Sequence, residues 1–269
     1  MKILGILNIT EDSFSDGGKF LEAGAALAHG EKLLRDGADI LDIGAAPSNP
    51  DAKTVAPETE IARLASVVPA LKAKGASISI DSFVPQVQRW ALAEGVDYLN
   101  DIHGFAEPSL YPALADAKAR LIVMHAVQGQ GIATRADVPP GEIFARAVCF
   151  FEQRVLALTG AGIARERLIL DPGMGFFVGS DPENSLTLLR RLPELKARFG
   201  LPLLVSVSRK SFLRRIVGQS DAASLPVLAA SLAAELFAAA KGADYLRSHA
   251  PGPLAAALKI RATLEFPGL

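Results

Sequence analysis

A chain of 269 residues, half of them hydrophobic, can bury a sizeable core and fits either one large α/β barrel or two smaller domains. With 28 basic and 29 acidic residues spread evenly, its formal net charge is -1, so no electrostatic footprint for nucleic acid or a membrane surface is visible and the expected partners are small molecules. The single cysteine, Cys149, excludes an internal disulfide, and within Ala147-Val148-Cys149-Phe150-Phe151 it reads as a core residue rather than a nucleophile.

The apolar run Ile3 to Leu7 is too short for the core of a signal peptide, and no later run approaches the length of a membrane span; a cytoplasmic protein is expected. No stretch has a linker's composition, so a single domain over residues 1–269 is expected.

Taken in order, short apolar runs end on polar residues. Ile3 to Leu7 ends at Asn8, Ile40-Leu41 at Asp42, Ile78 to Ile80 at Asp81, and Tyr98-Leu99 at Asn100-Asp101. Leu121 to Met124 ends at His125, Leu168 to Leu170 at Asp171, Leu203 to Val207 at Ser208-Arg209-Lys210, and Tyr245-Leu246 at Arg247 and His249. Between them lie helical patterns rich in Ala and Leu, among them Ala23 to Asp36, Glu58 to Lys74, Pro85 to Glu94 and Ser224 to Lys241. Several close on a glycine able to turn the chain: Gly37, Gly75, Gly95 and Gly242.

Eight such strand and helix units predict a (β/α)8 TIM barrel, in which the polar exits converge on one mouth. The rival, a doubly wound open sheet, calls for a Gly-x-Gly-x-x-Gly first turn that this chain lacks. After strands 1 and 2, Thr10 to Phe20 and Ala45 to Pro57 show no periodicity and read as long mobile lids or binding loops.

The converging exits divide by chemistry. Asn8, Ser48, Arg247 and His249 suit a phosphate or diphosphate, with the Asn8 carbonyl oxygen available to Mg²⁺, a hard ion that prefers oxygen ligands. Asp81, Asn100, Asp171 and Lys210 suit a flat heterocycle with donors and acceptors, since a carboxylate accepts two parallel hydrogen bonds from an aminopyrimidine edge while a lysine donates to a ring nitrogen or carbonyl. Plainer readings stand beside these. Asp171 before Pro172-Gly173 also suits a turn residue, Asp81 or Ser82 a cap for the helix near Pro85, and Arg209 and Lys210 a solvated surface. His29, His103 and His125 are isolated and read as structural or supporting residues. No zinc spacing, nucleophile elbow or Walker loop occurs.

Gly5-Ile6-Leu7-Asn8-Ile9-Thr10-Glu11-Asp12-Ser13-Phe14-Ser15-Asp16-Gly17-Gly18 resembles the N-terminal signature of the dihydropteroate synthases. Asp42-Ile43-Gly44, Ile80-Asp81-Ser82, Asn100-Asp101-Ile102, Asp171-Pro172-Gly173-Met174-Gly175-Phe176, Ser208-Arg209-Lys210-Ser211 and Arg247-Ser248-His249 are similar to that family's later motifs, in order, over nearly the whole chain. The resemblance implies a TIM barrel, commonly a homodimer, that joins 6-hydroxymethyl-7,8-dihydropterin diphosphate to p-aminobenzoate with release of diphosphate. It implies that Asp81, Asn100, Met124, Asp171, Phe176 and Lys210 hold the pterin with Arg247 over the ring. Asn8, Ser48, Arg247 and His249 then hold the diphosphate, with Mg²⁺ on Asn8. The implied mechanism is dissociative, with Asp42, Asp81, Lys210 and Arg247 as the catalytic set: cations stabilise the departing diphosphate and carboxylates favour the cationic methylene left behind.

The chain departs from the family's pattern at two loops. Asp42-Ile43-Gly44-Ala45-Ala46-Pro47-Ser48-Asn49-Pro50 has Asn49 where an anion-binding arginine is usual, and Gly175-Phe176-Phe177-Val178-Gly179-Ser180 is longer than usual and lacks a lysine. Ser206 replaces a usual glycine. This distribution resembles the mobile sulfonamide-resistant members, and it points to Pro47, Ser48, Phe176, Phe177, Ser206 and Ser208 as the residues that tell p-aminobenzoate from a drug. Sulfonamides extend beyond the p-aminobenzoate carboxylate, so a Phe177 clash of about 3 kcal/mol would shift relative affinity roughly a hundredfold. Two rival functions remain at this point: a non-catalytic or methyltransferase-type pterin- or folate-binding barrel, and a phosphosugar barrel enzyme. The second is disfavoured by the carboxylates at the mouth, the first by the retention of Asn8, Arg247 and His249.

Overall fold

Alternating side chains along a strand, each run bounded by a helix that covers one face, leave a parallel sheet few ways to close. The computed structural model of the chain describes residues 1–9, 19–48, 54–128, 131–133 and 138–265. It begins with β1 (Lys2–Asn8), α1 (Lys19–Arg35), β2 (Ile40–Gly44), α2 (Pro57–Ala65), α3 (Val68–Ala73), β3 (Ser77–Asp81), α4 (Pro85–Ala93) and β4 (Tyr98–Asp101). There follow α5 (Tyr111–Asp116), β5 (Arg120–Met124), α6 (Pro140–Gly160), β6 (Leu168–Asp171), α7 (Pro182–Arg190), α8 (Leu192–Phe199) and β7 (Leu204–Val205). The last elements are α9 (Ser211–Val217), α10 (Leu225–Ala240), β8 (Tyr245–Ser248) and α11 (Pro251–Glu265). Among the described residues these form one 8-stranded parallel sheet in the order β6-β5-β4-β3-β2-β1-β8-β7. A bridge from Leu170 to Leu203, with the Leu170 N–H donating to the Pro202 carbonyl at 2.9 Å, brings β6 to β7 and closes the barrel. The expected TIM barrel is therefore the fold observed.

Strand alternation sorts the core into two shells. Leu4, Ile40, Tyr98, Ile122, Ile169, Leu204 and Tyr245 form a buried cluster inside the barrel. Their outward neighbours, including Leu41, Ile43, Ile78, Ile80, Leu99, Leu121, Val123, Leu168, Leu170, Val205 and Leu246, join the helices in the larger cluster. The glycines expected to turn the chain do so: Gly37, Gly75, Gly95 and Gly242 have φ of +102°, +81°, +66° and +93°.

Several expectations shift in detail. The pattern over Glu58 to Lys74 forms two helices, because Pro69 in the first turn of α3 has no N–H to continue the ladder. The seventh strand shrinks from Leu203 to Val207 down to Leu204–Val205, and Arg209 in the left-handed region at φ 59° turns the chain toward the mouth. Cys149 is exposed, not core. α6 buries Ile143, Ala147, Phe151 and Leu158, and a residue two positions from Ala147 and Phe151 falls on the opposite side of the helix. The expected first loop lies outside the described residues from Thr10 to Gly18, and α1 already includes Lys19 and Phe20. In the second loop Asn49 to Lys53 lie outside them, while Pro57 opens α2. No helix among the described residues is long and apolar enough to cross a membrane.

Candidate active site

Two residues along most strands from the apolar inner layer, about 7 Å higher by strand geometry, the inward side chain turns polar: Asp42 above Ile40, Asn100 above Tyr98, Asp171 above Ile169, Ser206 above Leu204 and Arg247 above Tyr245. Among the described residues, Ser48, Asp81, Asn100, Met124, Asp171, Phe177, Ser206, Lys210 and Arg247 line one cavity of about 40 Å³, together with Ile102 and Met174.

Arg247 sits at the centre. Its Nε donates to Asp42 Oδ2 and its Nη2 to Asp81 Oδ2 at 2.7 Å, while Asn100 Nδ2 donates to the same Asp42 oxygen at 3.3 Å. The Asp42 side chain is fully buried and that of Arg247 is 12 % exposed. Burial opposes the guanidinium charge, but the Asp42 and Asp81 carboxylates outweigh it and hold Arg247 above its ordinary range. Burial raises the Asp81 carboxyl, with Arg247 opposing and Asp42 adding to the rise. Asp81 therefore serves this ion cluster and does not cap α4, whose first turn has no side-chain cap.

Asp171 does two things. Its Oδ1 accepts the Gly173 N–H at 2.8 Å, so the turn reading holds, and the same buried carboxylate lines the cavity. Burial pushes it up to about 6, opposed by the Gly173 hydrogen bond and Lys210. The turn needs glycine: at φ +74° a Gly173 Cβ would lie 2.2 Å from the His125 carbonyl oxygen. His125, whose Nδ1 pairs with the Pro172 carbonyl at 3.0 Å, is lowered by burial to about 4 and supports this turn as a neutral ring.

Lys210 faces Asp171 from the β7 exit, its Nζ 4.9 Å from the centroid of the Phe177 ring. Burial, with Arg247 adding, lowers it to about 8. The strained Arg209 ahead of it is held by its N–H donating to Ser231 Oγ at 3.0 Å. Beside it, Ser208 Oγ accepts the His249 N–H at 3.2 Å and lies 3.1 Å from His249 Nδ1. Burial, then Arg247, lowers His249 to about 3. The ring is therefore neutral, so His249 is not a cation here.

Asn8, Pro47, Phe176, Ser208 and His249 are not on the cavity lining among the described residues, and Asp42 lies behind Arg247. Asn8 is exposed at the end of β1, beside Gly44 of β2. Phe176 packs with Phe177 against Ile102, Met124 and Ala133. Ile102 and Met174 were missed as lining residues. Ile102 carries a signal in sequence, standing two positions beyond Asn100 just past the end of β4, whereas Met174 enters through a turn geometry that spacing does not reveal. His103 reaches the Gly131 carbonyl at 2.7 Å and stacks on Phe83, a structural role as expected.

A family model described as pterin binding enzyme matches residues 4–249. The chain is 54% identical to dihydropteroate synthase type-2 of Escherichia coli over 98% of this chain and 96% of that one. It is 52% identical to the type-1 protein of Pseudomonas aeruginosa, over 97% and 93%. Among solved structures, Xanthomonas albilineans dihydropteroate synthase with 4-aminobenzoic acid superposes with a TM-score of 0.87 at 34% identity, covering 99% of this chain and 94% of that one. The Anaplasma phagocytophilum enzyme with bound 6-hydroxymethylpterin-monophosphate gives 0.85 at 34% identity, covering 98% of each chain. With a polar mouth of this composition on a barrel of this topology, the chain belongs to the pterin-binding enzyme family, among its dihydropteroate synthases.

Proposed function

We propose that the barrel mouth joins 6-hydroxymethyl-7,8-dihydropterin diphosphate to p-aminobenzoate, releasing diphosphate, as the family does. The observation that carries the residue assignment is the convergence of Asp171, Lys210 and Asn100 on one cavity with Arg247 clamped between Asp42 and Asp81. Asp171 accepts from the aminopyrimidine edge, while Asn100 and Lys210 contact the ring heteroatoms, and Met124 and Phe177 supply apolar walls with Phe176 packed against their cluster. Arg247 and the neutral His249 donate to the diphosphate. The methylene C–O bond breaks with its electron pair leaving on diphosphate, the Asp42 and Asp81 carboxylates favour the cationic methylene, and the aromatic amine attacks and loses a proton.

Mg²⁺ belongs to the same proposal. No group of three or more His, Cys, Asp or Glu suited to a metal occurs among the described residues, and Asn8 presents a single amide oxygen. That donor set suits an ion arriving on diphosphate oxygens with most of its waters, which when bound would neutralise leaving-group charge. The exposed apolar residues Ile216, Leu225, Phe237, Ile260 and Leu264 on α9, α10 and α11 suit a homodimer contact. Cytoplasmic location completes the reading.

Phe177 supports sulfonamide insensitivity. Its ring is 8 % exposed at the cavity wall beneath Lys210, and its carbonyl accepts the Val127 N–H at 2.8 Å, fixing the bulk in place. The experiment for the whole reading mixes the pterin diphosphate, p-aminobenzoate and Mg²⁺ and follows dihydropteroate. Product formation that depends on p-aminobenzoate bears it out; pterin binding without product favours a binding module instead.

A further inference from the structure

The same local device occurs twice at the mouth, behind the two partners of one ion pair. Asp81-Ser82-Phe83-Val84-Pro85 leaves β3, and Arg247-Ser248-His249-Ala250-Pro251 leaves β8. In each, the charged residue points into the barrel and the serine that follows points back toward the helices, as strand alternation requires. Both serines are buried, Ser82 at 5 % and Ser248 at 0 % exposure. Ser82 Oγ accepts the Val84 N–H at 3.2 Å and Ser248 Oγ accepts the Ala250 N–H at 3.1 Å. Each hydroxyl also lies beside a buried glutamate on an outer helix and favours its ionised form: Ser82 beside Glu60 of α2, Ser248 beside Glu235 of α10.

Glu60 and Glu235 are 1 % and 3 % exposed, and each keeps one carboxylate oxygen buried with no partner, Oε2 and Oε1 respectively. Burial holds both carboxyls above their ordinary range, Glu235 at about 7. Half-satisfied buried acids are costly, and an apolar side chain of similar volume would serve packing alone better. We propose that Glu60 and Glu235 are paired positioning residues, each fixing through its serine the strand exit that aims Asp81 or Arg247 at the pterin diphosphate. This rests on the assignment of Asp81 and Arg247 to that substrate.

The test uses the full chain carrying Glu60→Leu, Glu235→Leu, Glu60→Gln, Glu235→Gln, Ser82→Ala or Ser248→Ala, with urea unfolding to show which variants fold. The Leu and Ala variants should lose about tenfold in kcat/KM for the pterin diphosphate, a displacement effect of modest size, with KM for p-aminobenzoate unchanged. Glu235→Leu and Ser248→Ala should also weaken binding of inorganic diphosphate. The Gln variants, which keep a carbonyl oxygen beside the serine hydroxyl, should stay within about twofold of the parent. Folded Leu and Ala variants with parental kinetics overturn the proposal, as does a loss shared by both substrates that Gln does not rescue. Where a Leu variant does not fold, the Ser→Ala change decides. Turnover that survives Arg247→Ala would instead overturn the substrate assignment beneath it.

Discussion

Arg247 of β8 and Asp81 of β3, 166 positions apart in the chain, meet through Nη2 and Oδ2 at 2.7 Å across the mouth of the barrel. The strands that bear them are not neighbours: β1 and β2 lie between, and Asp42 of β2 completes the bridge. A single cation thus bridges two enclosed carboxylates. Removing it leaves Asp42 fully buried without its cation, whereas replacing the group as a unit need not destabilise. Arg247→Ala should lower unfolding free energy by about 3 to 5 kcal/mol and abolish measurable product. Asp42→Asn combined with Arg247→Met should restore most of that stability in urea titrations and none of the turnover.

The pH profile follows from two groups with opposite requirements. Asp171, raised by burial to about 6, must be ionised to accept from a pterin. Lys210, lowered by burial to about 8, must be protonated to donate. kcat/KM for the pterin diphosphate should therefore fall below pH 6 and above pH 8, the limits set by the free enzyme. Lys210→Met should remove the alkaline limb while leaving the acid one; an alkaline limb that persists would assign it elsewhere.

Asp171 also bears on stability. Its folded pKa is raised from 3.8 to about 6, so the folded state binds a proton more readily than the unfolded one. Ionisation then opposes folding, fully above pH 6 and not at all below pH 3.8. Asp171→Asn keeps the oxygen that receives the Gly173 N–H and removes the buried charge. At pH 8 it should gain about 3 kcal/mol by the pKa conversion, lose the gain near pH 4, and lose pterin affinity. Thermal unfolding at both pH values, with pterin titration, checks this.

Deletion of Phe177 with Val178 would ask whether the longer loop excludes sulfonamides, but Val178 is fully buried in the core cluster, so deletion would also disturb packing. Phe177→Ala is the cleaner change, since the hydrogen bond to Val127 uses the backbone carbonyl. Sulfamethoxazole inhibition should strengthen by tenfold or more, the value of about 1.4 kcal/mol of relieved clash, with a smaller change in the p-aminobenzoate KM. Unchanged drug inhibition would remove Phe177 from the discrimination.

The barrel was legible because polar residues at strand exits, such as Asp42, Asp171 and Arg247, stand in fixed phase with apolar residues two positions earlier. What was lost reflects contacts that no periodicity encodes. Cys149 sits in a run so apolar that helical phase, not composition, decides its exposure. That Arg247 pairs with the Asp42 and Asp81 carboxylates is visible only once β8 and β3 face one another. Glu60 and Glu235 lie within helical patterns whose spacing does not reveal that docking buries them.

Position 171 carries two obligations that a change must meet together: the turn needs its Oδ1, and the cavity needs its charge. At position 177 the obligations separate. The loop is pinned through the main chain of Phe177, which every amino acid supplies, and only the cavity wall feels the ring. Substitutions there can reshape what the mouth admits without unfastening the loop, so this barrel has a place where ligand preference can drift while the machinery stays fixed.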